Sequence, residues 1–352
     1  MRLQRWLSLA FGLVLVPVAT GCPPKAEPSD NKPAASPEVS LAGVDTSALT
    51  PRERREWAAQ VSELLAPCPE TPVNIAQCVK EQRPCKACLP AAQYLLKQVK
   101  AGKSKADREE AFHGRFDPGK VKTIVTDGSP SLGAPDAPIT IVEWADFECP
   151  FCRLVAPMLE ELVKRFDGQV RLVYKFYPLA SHPHGEIAAR AAIAAMNQGK
   201  FWEMHHAIFE NQERLEQADL ERYAKEIGLD LAKFRQDLTS EETTQRIEKD
   251  RKQADELGLE GTPFVFVGGR ELDLKHLTNN PYDDLEDWLK TDLELMGRPV
   301  PPAPKKDEKK DEKKRAGDAP GDAPSAAPTA APSAAPPVTP SAAPSANPGT
   351  KK

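Results

Sequence analysis

The stretch Ile139-Thr140-Ile141-Val142-Glu143-Trp144-Ala145-Asp146-Phe147-Glu148-Cys149-Pro150-Phe151-Cys152 runs from a β-rich, mostly apolar segment into a cysteine pair. Its first six residues have the composition of a buried central strand. Downstream, Leu154, Met158, Leu159, Leu162 and Val163 recur at helical spacing, and Pro150 stands where the first turn of a helix tolerates proline. The cysteines therefore fall at a strand-to-helix junction. There the first cysteine faces the unpaired amide groups and the positive end of the helix dipole, which stabilise a thiolate and lower its pKa. This makes Cys149 the exposed attacking sulfur and Cys152, one turn into the helix, the shielded resolving one. A structural disulfide and a zinc site are the alternatives for any such pair. No further Cys or His motif nearby supplies a second pair of zinc ligands.

The segment from Val142 to Cys152 resembles the active-site segment of the disulfide-bond oxidoreductases, the DsbA-like branch of the thioredoxin superfamily. The resemblance extends over about 133–296. Residues 169–177 alternate toward a second strand, and helical stretches over about 185–198, 200–211, 217–227 and 241–257 match the helical insertion of that branch. Gly261-Thr262-Pro263-Phe264-Val265-Phe266-Val267-Gly268-Gly269 follows, a proline opening a β-run that ends in a Gly-Gly turn. The fold class implied is α/β, a thioredoxin fold with a helical insertion. The resemblance also implies that Pro263 is cis and packs opposite the cysteines, where its missing amide hydrogen leaves the backbone beside it free for a substrate strand. Glu143, six residues before Cys149, takes the place of a buried acid that shuttles the proton of Cys152; strand alternation could instead turn it outward. Thr262 would flank and tune the pair. Phe151 stands where the most oxidising members carry histidine, which implies a milder thiolate and a less oxidising couple. A threonine before the proline is more typical of isomerases and reductases, so the direction of electron flow stays open. His182 and His184 are expected to be helix-entry and surface residues. The reading calls for no cofactor and no resident metal.

The rest of the chain sets the address. Arg2 and Arg5 precede an apolar run over 6–19, too short for a membrane span and fitting a secretory signal. It closes in Ala19-Thr20-Gly21-Cys22, which resembles a bacterial lipobox and implies cleavage after residue 21 and lipid on Cys22; ordinary cleavage with a free thiol is the alternative. Residues 22–50 and 298–352 hold 5 and 13 of the 35 prolines and no Phe, Tyr or Trp. Neither can build a core, so both are expected to be disordered tethers. The dense basic run of 305–315 is offset by acidic residues and lies in the tail, so no nucleic-acid partner is expected. The expected place is the periplasmic side of the cell envelope, on the outer membrane in preference to the inner.

Between tether and redox domain (118–297), residues 51–117 form a cysteine-rich helical module. Helical patterns cover about 52–66 and 89–101, and Ser104 with Asp107 offers a capped start to a third helix ending near Phe116. So small a module gains from crosslinks. Structural disulfides are expected at Cys68, Cys78, Cys85 and Cys88, paired Cys68 with Cys78 and Cys85 with Cys88; a second redox pair at Cys85-Lys86-Ala87-Cys88 and a four-cysteine zinc site are the alternatives. The module faintly resembles the helical thiol-reductase domain of cytochrome c maturation, but its Cys-x-x-Cys is displaced and no residue roles carry over. The function expected is a lipid-anchored thiol-disulfide oxidoreductase acting on cysteine-containing exported proteins, with a membrane or periplasmic redox partner. A non-catalytic envelope adaptor, with Cys149-Cys152 as a fixed crosslink, is the alternative; the intact pair, Glu143 and Pro263 favour the enzyme.

Overall fold

The computed structural model describes residues 39–302. The signal segment, the lipobox with Cys22, the tether up to residue 38 and the tail beyond residue 302 lie outside the described residues. The chain first builds α1 (Pro51–Glu63), α2 (Ile75–Lys80), α3 (Cys88–Lys100) and α4 (Lys105–Phe116). Thr50 and Glu53 close a capping box on α1, with Pro51 in its first turn, and Asn74 and Ser104 cap α2 and α4. The apolar stripe of α1 buries Trp57 and Val61 against α3, where the Trp57 indole N–H donates to the Ala92 carbonyl at 3.0 Å. The short α2 was not legible in the sequence, because six residues are too few to show a helical period.

Two expectations are corrected in this module. Residues 39–50 are not tether: Val39, Leu41 and Leu49 are buried in the module core with Trp57 and Leu95. Three aliphatic side chains without an aromatic were enough to dock, helped by Gly43, whose positive φ turns the chain so closely over Leu89 that a Cβ would lie 3.1 Å from its side chain. The cysteine pairing is also different. Cys68 bonds Cys85 and Cys78 bonds Cys88, with Cα atoms 5.8 and 6.1 Å apart. Cys88 is the first residue of α3 and faces Cys78 on α2, whereas Cys85 lies before the helix and turns to the loop at Cys68. All four sulfurs are thus consumed in disulfides, leaving neither a four-thiolate zinc site nor a Cys85–Cys88 redox pair.

The remainder is a mixed sheet wrapped by helices. Its strands are β1 (Ser131–Leu132), β2 (Ile139–Ala145), β3 (Val170–Phe176), β4 (Phe264–Val267) and β5 (Arg270–Glu271), in spatial order β1-β3-β2-β4-β5. Strand β2 is central, parallel to β3 and antiparallel to β4. Helix α5 (Pro150–Arg165) makes the crossover between β2 and β3. Between β3 and β4 come α6 (Gly185–Met196), α7 (Phe201–Glu210), α8 (Gln217–Glu226), α9 (Leu231–Leu238) and α10 (Glu241–Leu257). The sequence pattern predicts four of these five. Helix α9 escaped it because two turns capped by Asp230 bury only Phe234 and Leu238. The alanine-rich α6 packs at the centre of the insertion, with seven residues from Ala188 to Ala195 nearly inaccessible apart from Arg190. Helix α10 is tied to the sheet by a buried ion pair, Lys175 Nζ to Asp250 Oδ1 at 2.9 Å, and the other Asp250 oxygen accepts the Phe176 amide.

Helix α11 (Pro281–Leu295) closes the sheet and meets the helical module. The Arg115 guanidinium of α4 lies 4.2 Å from the Trp288 ring centre and 2.6 Å from Asp292 Oδ1, while Lys97 of α3 reaches Asp284 and Asp287 at 2.7 and 2.5 Å. Charge and cation–π contacts thus join the module to the sheet domain.

Candidate active site

Strand β2 delivers the chain to a tight turn, Asp146 to Cys149, before α5 begins. The Asp146 carboxylate holds that turn: Oδ1 accepts the Glu148 amide at 2.8 Å, and Oδ2 accepts the Leu179 amide at 2.8 Å and meets His182 Nδ1 at 2.6 Å. Asp146 is buried, and Gly185 lies so close that a Cβ there would come within 2.7 Å of its carboxylate. Glu148 in turn accepts from the His184 amide at 2.6 Å and lies 3.2 Å from its Nδ1. From α7 onward the chain contributes Gln212, whose side-chain amide donates to the carbonyls of Phe147 and Cys149, both at 2.8 Å. Sequence reasoning missed Asp146, Glu148 and Gln212. The one signal it offered was an acid and a second acid flanking Phe147 just ahead of the cysteines. His182 and His184 do sit at the entry to α6, His184 at its N-cap, and both are anchored to this turn.

Cys149 is the N-cap residue of α5, with Pro150 in the first turn. Both Cys149 and Cys152 are free thiols. Cys149 is 4% exposed, which corrects the expectation of an exposed sulfur. The N-cap position folds Sγ back over the helix start, and the Thr262-Pro263 segment covers it: Sγ lies 3.5 Å from the Thr262 carbonyl oxygen. On the same helix, Phe151 and Leu154 are 64% and 59% exposed. The peptide bond between Thr262 and Pro263 is cis. The sequence thus brought to one place four residues from two ends of the domain: Cys149, Cys152, Thr262 and Pro263.

The titration behaviour of the pair is split. The Cys149 pKa is pulled down to about 5, first by a hydrogen bond from the Cys152 thiol, then by the Thr262 side chain and the Cys152 and Phe151 amides, against the opposing effect of burial. Cys152 is driven far upward by burial and by the Cys149 sulfur it serves. One sulfur is therefore a thiolate at neutral pH and the other holds its proton. Beneath them Glu143 is fully buried in the middle of β2, between Tyr174 of β3 and Val265 of β4. It does not point to solvent. Neither of its carboxylate oxygens has a hydrogen-bond partner, and burial, with the charges of Glu160 and Cys149, raises its pKa to about 8. The clusters of metal-ligating side chains among the described residues do not include Cys149 or Cys152.

A thioredoxin family model matches residues 125–291, spanning the strands, the cysteine pair and the cis-proline segment. A solved thioredoxin-like oxidoreductase from Silicibacter pomeroyi is 31% identical and is matched over 94% of its own length and 48% of this chain, with a TM-score of 0.43. Residues 125–291 belong to the thioredoxin family. BdbD from Bacillus subtilis, 21% identical, is matched over 96% of its length and 49% of this chain, with a TM-score of 0.42. Among curated proteins, the Na(+)/H(+) antiporter NhaA 3 of Salinispora tropica is 45% identical over 139 residues, 39% of this chain but 21% of that protein. The chain spans about a fifth of the length of the curated relatives it matches. No helix among the described residues is long and apolar enough to cross a membrane. What the chain shares with those transporters is a segment of thioredoxin-domain size.

Proposed function

We propose that this protein exchanges disulfides with cysteine-containing exported proteins, using Cys149 as the attacking sulfur and Cys152 as the resolving one. The observation that carries this is the split pair itself, one thiol lowered to about 5 and its neighbour raised, held at a helix start over a buried carboxyl. In the reducing direction the Cys149 thiolate attacks a substrate disulfide sulfur. A mixed disulfide forms, and the other substrate sulfur leaves as a thiolate that takes a proton from solvent. The substrate backbone lies along Thr262-Pro263, where the proline presents no N–H to compete, and Phe151 and Leu154 offer apolar contact. Cys152 then attacks the Cys149 sulfur. Glu143, as carboxylate, takes the Cys152 proton and passes it outward once the second substrate thiolate leaves. Two electrons and two protons move to the substrate, and Cys149-Cys152 is left as a disulfide. Oxidation of a substrate dithiol is the same path reversed, and a membrane or periplasmic dithiol–disulfide partner resets the pair. The mature chain is held to the envelope by lipid on Cys22, on the outer membrane in preference to the inner, with a crosslinked module that runs to residue 117 and includes 39–50 preceding the redox domain of 118–297.

Replacing Cys152 by Ala tests the reading. The variant is expected to accumulate mixed disulfides through Cys149 in cell extracts, resolved by reducing agent. Extracts without any Cys149 adduct would leave the fixed-crosslink adaptor as the better reading.

A further inference from the structure

Two turns beyond Cys152, α5 carries Glu160, and α7 brings two consecutive histidines to it. His205 is 1% exposed and packs edge-on against Phe147, Tyr174 and Phe209. Neither of its ring nitrogens has a hydrogen-bond partner, yet Nδ1 faces Glu160 Oε1 at 3.6 Å. His206 is half exposed, and its Nε2 lies 2.9 and 2.8 Å from the two Glu160 oxygens. Neighbouring residues on a helix point about 100° apart, so two such rings meet one carboxylate only when it stands astride the gap between them. The three donor atoms all lie within 4.8 Å of one another. In a tetrahedral zinc site with bonds of about 2.0–2.1 Å, ligand atoms are spaced roughly 3.3 Å, inside that range.

We infer that Glu160, His205 and His206 form a binding site for a divalent transition-metal ion of the zinc class, with solvent in the fourth position. An ion pair between His206 and Glu160 explains those two side chains but not His205. A buried imidazole with both nitrogens unpaired has lost its hydrogen bonds to water without replacing them. A metal ion at the Glu160 carboxylate supplies the partner that its Nδ1 lacks, taking the place of the proton between His206 and Glu160. Two imidazoles and one carboxylate favour zinc, cobalt, nickel or copper over magnesium and calcium. The exposed edge of His206 gives the ion its entrance and the solvent ligand its place. The site shares no ligand with the cysteine pair, so its test does not depend on the thiol reading.

The test is zinc titration of the full chain, purified without a polyhistidine tag, with Cys149-Cys152 oxidised and any other thiol alkylated so that sulfur cannot bind the metal. One equivalent of zinc is expected, and cobalt substituted for it should show the visible absorption of a four-coordinate nitrogen–oxygen site. E160Q and H206A should each weaken binding at least tenfold while leaving the melting temperature in zinc-free buffer unchanged. His206 is at the surface, so this arm does not depend on whether a variant of the core residue His205 folds. H184A and H276A, in other acid–histidine contacts, should bind as the parent does. Failure to retain zinc on gel filtration overturns the inference, as does affinity that ignores E160Q and H206A or falls instead in H184A or H276A.

Discussion

Cys85-Lys86-Ala87-Cys88 and Cys149-Pro150-Phe151-Cys152 share their spacing, and each leads into a helix, α3 and α5. Their phase against the helix differs. Cys149 is the N-cap residue of α5 and Cys152 is the third residue of the helix, the two positions whose side chains face each other in a capping box. The sulfurs meet, and the helix amides stabilise one of them as thiolate. In the module the N-cap is Ala87 and Cys88 begins the helix, which leaves Cys85 two residues outside it, facing Cys68. Spacing alone therefore does not make a redox pair. The same four-residue motif, shifted by two positions against a helix start, becomes half of two separate crosslinks.

This contrast can be broken or sharpened in four ways. The largest effect belongs to Cys149→Ser, which should cut turnover of a protein or peptide disulfide by a factor of about a thousand or more, because the other free cysteine among the described residues, Cys152, is wholly buried and holds its proton. Retained activity would move the redox centre to the module.

Next, the double change Cys78→Ser with Cys88→Ser removes a crosslink closing a sequence separation of 10. It should cost the module about 3 kcal/mol through the entropy of the unfolded chain. Hydrogen exchange of the α1–α3 amides should accelerate while the Cys149 thiol titration, followed by alkylation rate, stays in place. A displaced titration would show that the module tunes the pair.

Glu143→Gln acts in the opposite direction on stability. The carboxyl is raised from its ordinary 4.5 to about 8 in the fold, so between those values the folded protein binds a proton the unfolded chain has released. Stability of the reduced protein therefore falls as pH rises through that window, on the order of 3 kcal/mol lost by pH 7. The glutamine variant should be more stable than the parent at pH 7 and level with it near pH 4, and should resolve mixed disulfides more slowly. Parallel pH–stability curves for parent and variant would remove Glu143 from the proton path.

The smallest effect expected is that of Phe151→His, which places a cation beside the thiolate. It should lower the Cys149 pKa further and raise the reduction potential by about 30 mV, a tenfold change in the equilibrium with glutathione. An unchanged or more reducing potential would refute the reading of Phe151 as a moderator of the couple.

Much of the site was legible because it is local. A strand of Ile, Val and Trp, a cysteine pair and a first-turn proline occupy consecutive positions, and helix physics turns that order into a lowered pKa. Pro263, over a hundred residues on, was legible through resemblance to a family, and the structure shows its peptide bond as cis. Glu143 illustrates the boundary. Its position in β2 follows from the sequence, but whether it faces solvent or core depends on which side of the sheet is covered, and α5 together with the insertion covers both.

What the sequence by itself determined was the regime of each region: which stretches can build a core, which cysteines precede a helix, and where the central strand lies. These follow from composition and from periods of two and 3.6, which act between near neighbours. Tertiary structure alone decided which sulfur meets which, that residues 39–50 belong to the module core, that Cys149 is covered rather than exposed, and that Glu160 meets two histidines of another helix. Each of these joins positions remote in the chain or hidden by short elements. Nothing in local propensity encodes a distance between such positions; only the packing of one element on another sets it.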